Sequence, residues 1–256
     1  MKTTALYVFI LSLGLVFVPA LKGQNIGSED FLNGIQAKID KAFYQSLKNN
    51  DASELKGISE QLDKLNANKG NKLVKYWKSY CDYNLSICYS QLKEEKKAEK
   101  AIFEAIDKLK KMEGKNTEDY ALLACEQSYS CQFRPGIVIP FVAEKLKSNC
   151  QLAIEADSLN LRAYYVLGSH DFYTPEMYGG GKEVEQMLLK AISLSSQKIK
   201  NPYLPSWGKQ NAYELLIRWY VRKEKWALAQ KYYEEGVRLF PESYLIKKLK
   251  EKLVQE

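Results

Sequence analysis

One histidine and five cysteines in 256 residues are the side chains with the widest chemical reach in this chain. His170 stands beside Asp171, but sequence neighbours on a helix point about 100° apart, so the pair makes no Ser-His-Asp relay by itself. Ser169 and Thr174 supply nearby hydroxyls, and nothing around them marks an oxyanion hole. The run Gly179-Gly180-Gly181-Lys182 has the composition of a phosphate loop without its spacing. Glu176 stands where that loop needs its first glycine, and Glu183 where it needs Ser or Thr. Cys81, Cys88, Cys125, Cys131 and Cys150 include no CxxC pair, so with a single histidine a zinc site is not expected. No catalytic residue, metal or cofactor is predicted. His170, Tyr173 and Lys182 remain as candidate binding residues of the glycine-rich loop.

The elements that must carry these residues are helices. Hydrophobic residues make up 46% and charged residues 27%, a folded-protein composition, and the apolar positions recur three and four apart almost throughout. Met1-Lys2, the apolar run Ala5 to Ala20 and the stretch 21–24 resemble a secretory signal peptide over 1–23, too short and too broken by Pro19 to span a bilayer. Without Lys2 and Lys22 the chain has 36 basic and 31 acidic residues, a net charge of +5. The lysine runs are interleaved with Glu or apolar residues, which predicts solvated helix faces and no nucleic-acid partner. Export would permit disulfides, yet five is an odd number, and Cys81 and Cys88 on one helix lie roughly 10 Å apart, beyond bridging reach.

The mature stretch 24–256 reads as a single domain of helix, short turn, helix. Predicted helices cover 31–48, 52–65, 73–92, 95–112, 117–133, 140–156, 161–172, 181–194, 208–222, 225–240 and 243–254, with a loop at 66–71. In the 208–241 pair, Tyr213, Leu216, Tyr220, Trp226, Ala229, Tyr233 and Pro241 fall at the spacing of the tetratricopeptide repeat, with Ile217 and Gly236 departing from it. Leu85, Tyr89, Ala98, Ile102 and Ala105 fit the same template in 73–112, though Asp82 takes the first aromatic position. Weaker copies occupy 117–156, through Cys150 and Ala153, and 161–194, through Tyr164, Leu167, Gly168, Leu188 and Ala191. The chain thus resembles the tetratricopeptide repeat (TPR) family over 73–241. Small residues in that pattern let paired helices approach, while aromatics fill the gap between pairs.

The resemblance implies an all-α α-solenoid, a right-handed superhelix of about five antiparallel hairpins with a C-terminal capping helix. It places the binding groove on the first helix of each hairpin, at Tyr80, Tyr83, Arg162, Tyr165, Ser169, Asn211, Glu214 and Arg218, with Ile87 and Phe172 beside them. Mixed Tyr, Arg and Asn side chains suit a peptide backbone and its carboxylates. Trp207, Trp219 and Trp226 are expected to fill the core or the hairpin turns. The segment Thr-Pro-Glu-x-Tyr-Gly-Gly-Gly-Lys from Thr174 to Lys182 is also similar to a Pro…Gly-Gly stretch in the periplasmic T component of tripartite (TRAP) transporters, which implies a small-ligand role. The expectation is an exported, non-enzymatic scaffold that holds a protein or peptide partner in its groove. Its compartment would be the periplasm of a Gram-negative bacterium, or the medium, with no stable membrane insertion after cleavage. The alternative is a small-ligand or transport accessory protein using the loop 173–182.

Overall fold

The computed structural model describes residues 28–69 and 71–253. The expected signal peptide lies outside the described residues. Among the described residues thirteen α-helices follow one another: α1 (Ser28–Leu32), α2 (Ile35–Asn49), α3 (Ser53–Lys69), α4 (Lys72–Gln91), α5 (Glu95–Lys110), α6 (Thr117–Ser130), α7 (Ile139–Ala156), α8 (Leu161–Tyr173), α9 (Val184–Ser193), α10 (Lys209–Arg222), α11 (Trp226–Leu239), α12 (Tyr244–Lys248) and α13 (Lys250–Leu253). There is no strand among the described residues. Five consecutive pairs, α2/α3 to α10/α11, pack as hairpins and α12 and α13 close the end, which is the expected helical-repeat architecture.

Several helix starts are set by short polar side chains that take up the free amides of the first turn. Asn71 accepts from the N–H of Leu73, Asn160 from that of Arg162, and Asn116 forms a capping box with Asp119. The turns of α4/α5 and α10/α11 are the same object. Lys93 and Glu224 both take left-handed φ, at 61° and 55°, and each following N–H returns to a tyrosine carbonyl, Tyr89 or Tyr220. Those tyrosines are the matching positions of the two best repeats. At Gly168, where the repeat pattern asks for a small residue, a Cβ would come within 2.9 Å of Leu188 on the paired helix.

Some boundaries differ from the sequence reading. The helix expected over 31–48 is interrupted at Asn33-Gly34, where the Gly34 N–H turns out to the carbonyl of Pro202. The loop expected at 66–71 is mostly helix, since α3 continues to Lys69; two Asn in a helix cost only a few tenths of a kcal/mol each. The end of 117–133 tightens into a 3-10 turn at Cys131–Phe133, and α9 starts three residues later than expected, after the glycine run.

The first helices of the hairpins share one orientation. The C-terminal ends of α4, α6, α8 and α10 lie side by side: Tyr129 Oη donates to Ser90 Oγ (3.3 Å), Ser128 Oγ approaches His170 Nδ1 (3.4 Å), and Arg222 donates to the carbonyl of Phe172 (2.9 Å). One apolar cluster fills α1 to α8 and a second fills α8 to α13; Tyr165 packs against both.

The long α9–α10 connection, 194–208, departs from a nearest-neighbour stack. It crosses back to the first two hairpins as a strap. Trp77 Nε1 donates to the Tyr203 carbonyl (2.9 Å), Trp207 Nε1 to Tyr76 Oη (2.8 Å), and the Ser206 N–H to Gln36 Oε1 (2.7 Å). Trp207 therefore belongs to the first core cluster, far from its sequence neighbours.

Candidate functional site

The inner helices and the strap enclose a concave cavity of about 480 Å³. That is the size range of small-ligand and side-chain pockets. α4 contributes Tyr80, Tyr83 and Ile87, α8 contributes Tyr165 and Tyr173, and α10 contributes Asn211, Glu214 and Arg218. The structure thus brings together seven of the predicted binding residues around one space: Tyr80, Tyr83, Tyr165, Tyr173, Asn211, Glu214 and Arg218. Each comes from the inner helix of its hairpin, because the same edge of successive first helices faces the same way.

The remaining predicted residues lie elsewhere. Arg162 is 4% exposed. Its guanidinium grips both carboxylate oxygens of Glu118 and donates to the carbonyls of Ser196 (3.1 Å) and Trp207 (3.2 Å), so its donors are spent on holding the strap. Ser169 lies outside the cavity lining, one turn along α8 from Tyr165. His170 is packed between α6 and α8, where burial and then Lys147 lower its pKa and keep it neutral at physiological pH. Lys182 is exposed in the loop.

That loop is a hydrogen-bonded turn. The Asp171 carboxylate accepts from the N–H groups of Gly181 (3.0 Å) and Glu183 (2.6 Å), and a Cβ on Gly180 would fall 1.9 Å from the Thr174 carbonyl oxygen. Only Tyr173 of the loop candidates reaches the cavity, as its exposed rim. There its hydroxyl accepts from Arg218 (3.0 Å).

Among the lining residues that the sequence does not single out for binding are Asp40, Tyr44 and Trp207. α2 carries no repeat signature, and the only available signal was its polar stripe Gln36, Asp40, Tyr44 at helical spacing. Trp207, expected as core filler, is 8% exposed but stacks on Tyr80 with ring centroids 6.0 Å apart and forms part of the lining.

The charged lining groups are Asp40, Glu214 and Arg218. Arg218 is committed to Glu214 (3.1 Å) and lies over the Phe172 ring at 5.0 Å. Burial raises the pKa of Glu214, with Arg218 opposing it. Asp40 accepts from Tyr80 Oη (2.8 Å) and Gln36 Nε2 (3.1 Å), and burial raises its pKa against those two hydrogen bonds. Cys125, at the floor, is a thiol pushed up to about 12 by burial and is no nucleophile. All five cysteines are free thiols. No group of three or more His, Cys, Asp and Glu that could hold a metal occurs among the described residues.

A second concavity of about 690 Å³ lies behind the strap, between Gly34, Gln36 and Lys209. Its polar groups serve the strap itself: Gln197 Nε2 donates to the carbonyls of Asn201 and Leu204, and Lys209 Nζ to that of Leu194.

No family model matches the chain, and no curated protein matches it. Two solved structures resemble it. Nro1, described as the hypoxic regulator of sterol synthesis and a nuclear import adaptor, superposes with a TM-score of 0.49 at 16% identity, covering 90% of this chain and 80% of that one. The HusA haemophore from Porphyromonas gingivalis superposes with a TM-score of 0.56 at 20% identity, covering 77% of this chain and 94% of its own. The likeness to HusA is one of fold, and what this chain shares with it is an all-α array of paired helices.

Proposed function

We propose that this chain is an exported, non-enzymatic TPR-like binding protein that holds a segment of another protein in the cavity of its inner face. The observation that carries this reading is the convergence of Tyr80, Tyr83, Tyr165, Asn211, Glu214 and Arg218, from three separate hairpins, on one space. Tyrosines offer broad, rigid contact area at low entropic cost, and Asn211 offers amide recognition for a peptide backbone. Export rests on the leader at 1–23 alone.

Crosslinking in an envelope extract should recover a partner that Tyr165→Ala or Arg218→Glu releases. A partner set unchanged by both substitutions would remove the groove from consideration.

The enclosed aromatic lining favours a second reading, a small flat ligand, and the fold likeness to a haemophore makes haem the one to try. Two carboxylates against one already paired guanidinium, and no histidine in the lining, suit a dianionic porphyrin poorly. Haemin titrated into the protein should give no saturable shift of its main absorbance band; a stoichiometric shift abolished by Tyr80→Phe would replace the peptide reading.

A further inference from the structure

Asp40 is a carboxyl group with no counterion, and burial favours its protonated form. Among the described residues no Lys, Arg or His lies within 4.0 Å of its carboxylate, and its two contacts, Tyr80 and Gln36, are neutral donors. Each oxygen accepts one hydrogen bond, where a carboxylate has room for about four in all. Part of its surface is open to the cavity although its surroundings are crowded. A desolvated carboxyl without a counterion holds its proton, and a cation brought from outside the chain would both pair with it and favour its charged form.

The surroundings select the kind of cation. Tyr80, whose hydroxyl donates to the carboxylate, stacks on Trp207, and both rings line the cavity. Tyr44 follows Asp40 by one turn on α2 and is held by Gln210 across the cavity (3.4 Å). Both Asp40 and Glu214 act on the Tyr44 phenol, so the second carboxylate faces the same space from α10. Aromatic faces attract cations, and a guanidinium both stacks on rings and grips a carboxylate with two parallel N–H groups. A net charge of +5 on the mature chain makes an acidic cavity a local exception.

Resting on the reading of the cavity as a binding groove, we propose that Asp40, Tyr44, Tyr80 and Trp207 form a seat for a guanidinium group, presented as an arginine side chain by the bound protein segment. Glu214 supports the same charge from the opposite wall. The ligand class is a basic peptide, and a free guanidinium compound such as agmatine is the other source of the same chemistry.

The test uses the full mature chain and its tryptophan fluorescence. Three capped nonapeptides, alike except for a central Arg, norleucine or Glu, are titrated in parallel with agmatine. The Arg peptide is expected to bind at least about tenfold tighter than the norleucine peptide, the gain of one charge-assisted pair. Asp40→Asn, which keeps the shape and can accept from Gln36 while donating to Tyr80 Oη, should erase that preference, and Glu214→Gln should reduce it about threefold, less because Arg218 already neutralises that carboxylate. Agmatine binding that Asp40→Asn abolishes supports the seat with the free compound as source. Norleucine and Arg peptides bound equally well by the parent chain, or an Arg preference that survives Asp40→Asn, overturns it. The two failures separate through Tyr165→Ala: norleucine peptide released by that change leaves the groove standing without the seat, and binding indifferent to it removes the groove as well.

Discussion

Glu126 shows how much a single buried group can say about protons. It is 0% exposed. Its Oε1 lies 2.7 Å from Ser79 Oγ, which is also 2.9 Å from the Ala105 carbonyl. A hydroxyl has one proton and the carbonyl oxygen accepts only, so Ser79 donates to Ala105 and must receive its second hydrogen bond from a protonated Glu126. Burial, the largest cause, and then the nearby Asp82 put its pKa well above the ordinary glutamate range. Raised in the folded state, this acid holds its proton better folded than unfolded. Its contribution is therefore complete below the unfolded value of about 4.3 and lost as pH climbs through the folded one. Glu126→Gln, which cannot ionise, should match the parent near pH 4 and exceed it progressively toward neutrality, by about 1.4 kcal/mol for each pH unit between the unfolded and folded pKa values. Thermal melts from pH 4 to 8 measure the gap; a constant difference across that range would mean that Glu126 is ionised in the fold. Neighbouring Asp82 marks the departure from the repeat pattern at its first aromatic position. It accepts from Lys78 (2.6 Å), Ser59 (2.8 Å) and Lys108 (3.2 Å), so a buried ionic cluster stands where an aromatic ring was expected.

At the scale of elements, the turn from α8 to α9 is the piece most tightly specified by residue type. Pro175 begins it, Asp171 caps its far end, and Gly180 passes so close to Thr174 that no side chain fits. Gly180→Ala should destabilise the protein by about 1–3 kcal/mol, the usual cost of overpacking a fixed backbone, read as a shift of the denaturant midpoint. An unchanged midpoint would show that the turn relaxes freely. Helix order, hairpin pairing and the places of the short turns at 93–94 and 223–224 were legible in the sequence, because the amphipathic period is a local signal; the matched left-handed geometry of those turns was not. Six of the eight groove positions meet around the cavity for the same reason: the repeat template fixes which edge of each first helix faces inward. Arg162 did not follow, since its fate depends on Glu118 and the strap. Asp40 and Trp207 were illegible for a related reason, for each acquires its role only through contacts more than a hundred residues away or on a helix without a repeat signature.

The whole molecule is a repeat array that has been fastened shut. In an open stack each unit senses only its neighbours, and unfolding can begin at either end. Here the strap ties α2 and α4 to the start of α10, and Arg162 clamps it through Glu118, Ser196 and Trp207. The two apolar clusters should therefore melt together. Arg162→Ala removes the clamp and leaves the Glu118 carboxylate unpaired, and it should cost about 3–5 kcal/mol. It should also split calorimetric unfolding into two steps, with hydrogen exchange rising first over 194–208 and α10 to α13. A single, merely lowered transition would show that packing alone joins the clusters.

The contrast between a basic exterior and an acidic cavity has a kinetic reading. A cationic ligand approaching a mature chain of net charge +5 meets repulsion within about a Debye length of the surface, about 8 Å at physiological salt, and attraction only at contact. Added salt would then speed its arrival and also speed its escape, the reverse of electrostatic steering at the first step. A basic segment tethered nearby, delivered at high effective concentration rather than by free diffusion, would escape that barrier altogether.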